Sequence, residues 1–160
     1  MNGFTIFKGL NYKDYNSELG PIYRLITLSD KLYAIFRDGI GIIGVNERTQ
    51  VSNDTGGIFI DNADVLAQKA TIISTGYGSD QPSSVVSTNN YIYGVDLNRV
   101  KIWRTNGGAP EIISDTRVQD ILGDIMVDLS TVGPDAITTV FATFDPAKGD
   151  ISFTFTARDP

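Results

Sequence analysis

A stretch of this chain recurs, and that recurrence limits the possible folds more than any other feature. Lys31-Leu-Tyr-Ala-Ile-Phe-Arg37 reads as a strand, Asp38-Gly39 as a turn and Ile40-Gly-Ile-Ile-Gly-Val45 as the returning strand of a hairpin. Later in the chain, Ile92-Tyr93-Gly94-Val95 matches Leu32-Tyr33-Ala34-Ile35 without a gap. In the same register Ile40, Ile42 and Ile43 fall on Val100, Ile102 and Trp103, and Asp38-Gly39 falls on Asn98-Arg99. A one-residue indel on either side extends the match: Pro21 precedes the first copy as Pro82 precedes the second, and Asn53-Asp54-Thr55 follows as Ser114-Asp115-Thr116 does. The period is about 60 residues.

A third, partial copy begins near Ile137. Phe141-Ala-Thr-Phe144, the loop Asp145-Pro146-Ala-Lys-Gly149 and Ile151-Ser-Phe-Thr-Phe-Thr156 read as another hairpin, with a turn two residues longer. Ile151, Phe153 and Phe155 alternate with Ser152, Thr154 and Thr156, so this strand has one apolar and one wetter face. Tyr91-Ile-Tyr-Gly-Val95 is apolar on both faces, as a strand in a sheet covered on two sides must be. Residues 1–160 read as one domain, with repeats at approximately 21–81, 82–136 and 137–156.

Composition agrees with a mainly β fold. Ile, Val and Thr total 45 against 18 for Leu and Ala, and 16 Gly with 6 Pro punctuate the chain, which favours short strands and tight turns. Two stretches break the pattern. Ala63 to Thr75 reads as a short helix leading into a strand. Arg117 to Leu129 reads as a short helix whose stripe is Val118, Ile121, Leu122, Ile125 and Leu129, capped by Asp115 or Thr116, with Gly123 weakening its middle.

Antiparallel hairpins repeating at this period predict β-propeller-like units, because one small sheet cannot cover both its own faces. A propeller takes about 4 to 8 blades, whereas this chain holds about two and a half units. Three completions stay open: a segment of a longer protein, a ring shared between chains, or an open two-sheet structure.

With no Cys and no His, the chain cannot form disulfides, thiolate nucleophiles, Ser-His-Asp or Cys-His centres, or the usual zinc sites. A net charge of −6 disfavours stable nucleic-acid binding over the chain as a whole. No apolar run approaches the length of a membrane span, and the first residues lack the basic-then-apolar pattern of a secretory signal.

Two sets of residues carry a resemblance. Gly76-Tyr-Gly78, Gln81-Pro82-Ser-Ser84, Tyr91-Ile-Tyr93-Gly-Val-Asp96, Lys101-Ile-Trp103-Arg104 and Ile112-Ile-Ser-Asp115 form one succession, and Phe144-Asp145-Pro146 with Gly149-Asp-Ile-Ser-Phe153 forms a later phrase. Across residues 21–156 these resemble the repeats of nozzle- or muzzle-type bacteriophage tail proteins, found at the distal end of short-tailed phage tails including those of crAss-like phages. The resemblance implies a structural virion protein, made in the bacterial cytoplasm. It further implies a ring-like homo-oligomer that contacts other tail proteins and encloses the channel through which DNA leaves. No catalytic residue, cofactor or metal is implied. An acidic wall suits such a channel, because it repels phosphates.

Competing readings attach to particular residues. Asp120, Asp124 and Asp128 would line one helix face, and Asp61, Asn62 and Asp64, like Asp145 and Asp150, offer oxygen ligands for Ca²⁺. A solvated helix face for the first set and turn chemistry for the other two are the simpler expectations. Trp103 and Tyr77 with nearby carboxylates would suit a carbohydrate-binding or glycan-cleaving tail module, although a lone Trp beside alternating strand residues suits a core. A generic propeller-like interaction module is the third alternative. Gly76-Tyr-Gly78 lacks the third glycine of a dinucleotide fingerprint.

Overall fold

The computed structural model describes residues 15, 17–45, 48–51, 58–61, 70–116, 124 and 137–157. They form twelve strands: β1 (Ile22–Leu28), β2 (Lys31–Phe36), β3 (Ile40–Ile43), β4 (Arg48–Val51), β5 (Ile58–Asp61), β6 (Thr71–Ser74), β7 (Val86–Ser87), β8 (Ile92–Asp96), β9 (Lys101–Thr105), β10 (Glu111–Ile112), β11 (Ile137–Asp145) and β12 (Asp150–Ala157). All pairings are antiparallel.

The recurring hairpins are β2–β3 and β8–β9, and each forms the middle of a four-stranded sheet. Sheet 1 runs β1-β2-β3-β6 and sheet 2 runs β7-β8-β9-β10. The order is the same in both, with one difference. Sheet 1 carries the hairpin β4–β5 between its third and fourth strands, whereas in sheet 2 Asn106–Pro110 bridges the same gap. That insertion accounts for much of the sequence period.

Burial on both faces explains the uninterrupted apolar runs. In β2, Tyr33 and Ile35 face sheet 2, where they pack with Leu28 and Ile40 against Val85, Ile92 and Trp103. Ala34 and Phe36 face the other way and join Ile43 and Leu19, with Tyr15 and Leu32 alongside. Sheet 2 is likewise double-sided: Ile92 and Trp103 meet sheet 1, while Val95 and Ile102 meet Val140, Phe153 and Phe155 of β11–β12. The sheets therefore stack in the order sheet 1, sheet 2, β11–β12, with an apolar layer at each junction.

The third hairpin forms as read, but its turn is no longer than the others. Last pairs Ile35↔Ile40, Asp96↔Lys101 and Asp145↔Asp150 have the same spacing in sequence. Arg37 explains the difference from the sequence reading: β2 ends at Phe36, whose N–H donates to the Gly39 carbonyl (2.9 Å), so the first loop starts at Arg37, one residue before Asp38, and Gly39 closes it. β12 alternates as expected, with Ser152 and Thr154 exposed and Phe153 and Phe155 against sheet 2.

The described sheets do not close into a propeller; two four-stranded sheets and a two-stranded one fall short of the blades that closure needs. Of the stretch 63–75, Thr71–Ser74 is the strand β6, and the helix read before it lies outside the described residues. The helix read at 117–129 lies outside them too, apart from Asp124, which is helical and exposed. The second-copy segment Ser114–Thr116 is a 3-10 turn, while its counterpart Asn53-Asp54-Thr55 lies outside the described residues.

Candidate functional site

The strap Gly76–Val85, which links sheets 1 and 2, gathers more of the signature residues than any other segment. Its chemistry starts from missing side chains. A Cβ on Gly78 would sit 2.2 Å from the Phe36 carbonyl oxygen, so only glycine lets the strap lie against the β2–β3 loop. Gly94 serves the same purpose for Trp103, whose ring would come within 2.4 Å of an added Cβ. The indole thereby lies flat on sheet 2, fully buried, and its Nε1–H donates to the Gly78 carbonyl at 2.7 Å. A buried Trp with its N–H satisfied is a packing element. It offers no face to a sugar, so the stacking role considered for Trp103 has no geometry behind it.

Asp96 closes the other side of the strap. Its buried carboxylate accepts from the Gly78 N–H (3.4 Å), the Arg99 N–H (3.0 Å) and Arg99 Nη1 (3.0 Å). Arg99 also reaches Asp38 (3.5 Å), which pairs with Arg37 (2.8 Å), so the two equivalent hairpin loops are tied by charge as well as by packing. The hydrogen bond from Arg37 holds the Asp38 carboxyl below the usual carboxylate range. Asp80 lies nearby and behaves oppositely: burial pushes its carboxyl up, and the neighbouring Asp96 charge adds to that. Its Oδ1 is buried with no hydrogen-bond partner among the described residues.

Hydroxyls finish the strap. Ser79 and Ser84 hydroxyls meet at 3.0 Å, Ser84 donates to the Gln81 carbonyl (2.8 Å), and the Val95 N–H donates to Ser84 (3.4 Å). Pro82 opens the 3-10 turn Pro82–Ser84, and its carbonyl accepts from Arg24 of β1 at 3.0 Å. Gly76 stands apart, since nothing lies within 4 Å of the position its Cβ would take.

The remaining signature residues lie elsewhere. Tyr93 is half-buried beside Tyr91, with ring centroids 6.0 Å apart. Arg104 covers the Tyr91 ring at 4.8 Å and pairs with Glu111 at 2.8 Å, and the hydrogen bond it donates to Glu111 raises its already high pKa. Asp115 pairs with Lys101. Asp145 caps its own loop by accepting from the Ala147 N–H (2.9 Å), and Pro146 is exposed in that loop. Sequence reasoning singled out Gly78, Asp96 and Trp103 without anticipating that they meet. It missed Ser79, and it read Ser84 and Arg99 without a role; for Arg99 the repeat gives no signal, because Gly39 rather than a basic residue matches it.

Among the described residues no three acidic groups are placed to hold a metal ion. Asp145 is occupied with turn capping, as its residue type suggested, while Asn62, Asp64, Asp120 and Asp128 lie outside the described residues. An open cleft of about 530 Å³ lies at the β1–β2 turn, lined by Thr27–Leu32 and Val45. No helix of the described residues is long and apolar enough to cross a membrane.

The strap's glycines and serines, with Asp96 and Trp103, hold sheets 1 and 2 together. The chain belongs to the Crassvirus muzzle protein family, whose model matches residues 2–159. No curated protein matches the chain. Family membership makes it a bacteriophage structural protein and a component of the virion, and the family is not known as one of enzymes.

Proposed function

We propose that the chain forms part of the wall of the muzzle at the distal end of the phage tail, assembling with copies of itself and with neighbouring tail proteins around the channel through which DNA leaves. The observation that carries this reading is the family match over residues 2–159. The arrangement of sheets supports it. β1 neighbours β7, and β7 neighbours β11, so the leading strands of three successive sheets lie side by side, as innermost strands do in a propeller. Exposed apolar residues remain at both ends of the stack. Leu25, opposite Ala34 on the outer face of sheet 1, is 55% exposed, and Phe141, on the outer face of β11–β12, is 47% exposed. Apolar residues exposed at both ends favour the addition of another copy, and head-to-tail addition gives a ring where the rotation between copies closes.

The net charge of −6 suits a channel wall that lets DNA slide past without holding it. Antibodies raised against the chain should label purified particles at the tail tip in electron micrographs. Label confined to the capsid would overturn the assignment. In solution, light scattering across a hundredfold range of concentration should give one discrete oligomer mass.

A further inference from the structure

The link between β9 and β10 opens with Asn106-Gly107, a pair whose chemistry the assembly of the tail does not use. An asparagine side-chain carbon and the next backbone nitrogen can close a five-membered ring. Two things usually prevent this: a side chain on the following residue, and a fold that covers the asparagine. Neither operates here. Asn106 is exposed, and the fold itself demands glycine after it. Gly107 holds a φ of 106°, and a Cβ there would lie 2.6 Å from the Tyr33 hydroxyl.

The link also presents the two reacting groups to each other. The Gly108 N–H donates to Asn106 Oδ1 (3.3 Å), an Asx turn that folds the side-chain amide along the Gly107 peptide. That donor sits on the oxygen that takes up negative charge when Asn106 Cγ is attacked. The Gly107 N–H donates to Thr105 Oγ1 (3.0 Å), and the Thr105 hydroxyl donates to the Gly108 carbonyl (2.7 Å). Attack comes perpendicular to the peptide plane, whereas the N–H bond lies within it, so Thr105 steadies the nitrogen without blocking it.

Other pairs of the described residues lack this arrangement. Asp38-Gly39 has the same spacing, but Arg37 and Arg99 hold the Asp38 carboxylate, and Gly39 is buried with its Cβ position 2.6 Å from the Ser74 carbonyl oxygen. Asn89, Asn90 and Asn98 are exposed but are followed by Asn90, Tyr91 and Arg99, whose side chains crowd the nitrogen.

We propose that Asn106 is a site of spontaneous covalent modification, with water as the co-reactant. The Gly107 nitrogen gives up its proton and bonds to Asn106 Cγ, the Cγ–Nδ2 bond breaks, and the side-chain nitrogen leaves as ammonia. Water then opens the succinimide. Opening at the Asn106 backbone carbonyl gives isoaspartate, and opening at Cγ gives aspartate. Both products add one negative charge, and isoaspartate also adds a carbon to the main chain of the link. The change falls at the rim of the layer shared by sheets 1 and 2, where Gly107 backs onto Tyr33.

The test is incubation of the 160-residue chain at neutral and mildly alkaline pH, with Trp103 fluorescence confirming that it stays folded. Tryptic peptides are then mapped by mass spectrometry; in Thr105–Arg117, Asn106 is the only asparagine. Conversion should run severalfold ahead of that at Asn89, Asn90 and Asn98, and should quicken with pH because the nitrogen must lose its proton. Isoaspartate, located by enzymatic methylation and fragmentation, should appear beside aspartate. Asn106→Gln, which would need a six-membered ring, should abolish the conversion, and the parent decides by itself should that variant not fold. An Asn106 that stays an amide in the folded chain while converting in urea shows that the link protects it and overturns the proposal. Conversion to aspartate without isoaspartate overturns it too, and so does conversion at Asn89, Asn90 or Asn98 ahead of Asn106.

Discussion

Gly94 and Trp103 illustrate how much one missing methyl decides. Because an added Cβ would lie 2.4 Å from the indole, Gly94→Ala should destabilise the chain by about 1–3 kcal/mol, the usual cost of overpacking a filled core. Gly76→Ala serves as the control, since its Cβ would meet nothing within 4 Å, and its unfolding midpoint in urea should stay close to the parent's. Equal losses for the two would mean that Trp103 is not seated as described. Asp80 gives a prediction with a sign. Its carboxyl titrates higher in the folded chain than in the unfolded one, so the folded state holds that proton more tightly. Its favourable contribution is full below the ordinary carboxylate range and is lost as pH rises through the raised value. Asp80→Asn should therefore raise the melting temperature at pH 7, and the gain should fade as the buffer is taken below about pH 4. Asp38 runs the other way, its stabilisation being lost on acidification. A gain for Asp80→Asn that is independent of pH would show that the charge is not its source.

The elements carry their own strain. β1 and β2 are joined through Ser29 and Asp30, with φ of 49° and 61°, the pair of left-handed residues that a tight two-residue turn requires. Val100, with φ of 55°, is a β-branched residue in the same region. Asp30→Gly and Val100→Gly should each stabilise the fold by about 1 kcal/mol, as thermal melts would register, by removing a steric penalty that glycine does not have. A loss of stability at Val100 would mean that its side chain contributes packing worth more than the strain. The hairpins were legible in the sequence because alternation and turn residues are local signals, as Asp145 to Gly149 shows. Loop length was less so: Arg37 reads as the end of a strand, and only the pairing of Ile35 with Ile40 and the end of β2 at Phe36 place it in the loop.

On the scale of the molecule, sheets 1 and 2 share one apolar layer and the strap that crosses it, which makes them a single cooperative unit. Trp103 is the only tryptophan and is fully buried at that junction. Its fluorescence and the far-ultraviolet signal of the strands should report the same urea midpoint. An earlier fluorescence transition would mean that the junction opens before the sheets melt.

Taken by itself, the sequence determined the mainly β class and the hairpins. These follow from side-chain alternation and turn chemistry within a few residues, and the absence of Cys and His followed by inspection. The two-sided burial of Tyr91 to Val95 was also readable, because a strand apolar on both faces has to be covered twice. Tertiary structure alone decided that Gly78, Asp96 and Trp103 meet, since bonds such as Trp103 Nε1–H to the Gly78 carbonyl join residues far apart in sequence and leave no periodic trace. It also decided that β4–β5 stands outside the four-stranded sheets and that the described sheets stack without closing. Strand order is fixed by which edges find partners, and no local pattern encodes that choice.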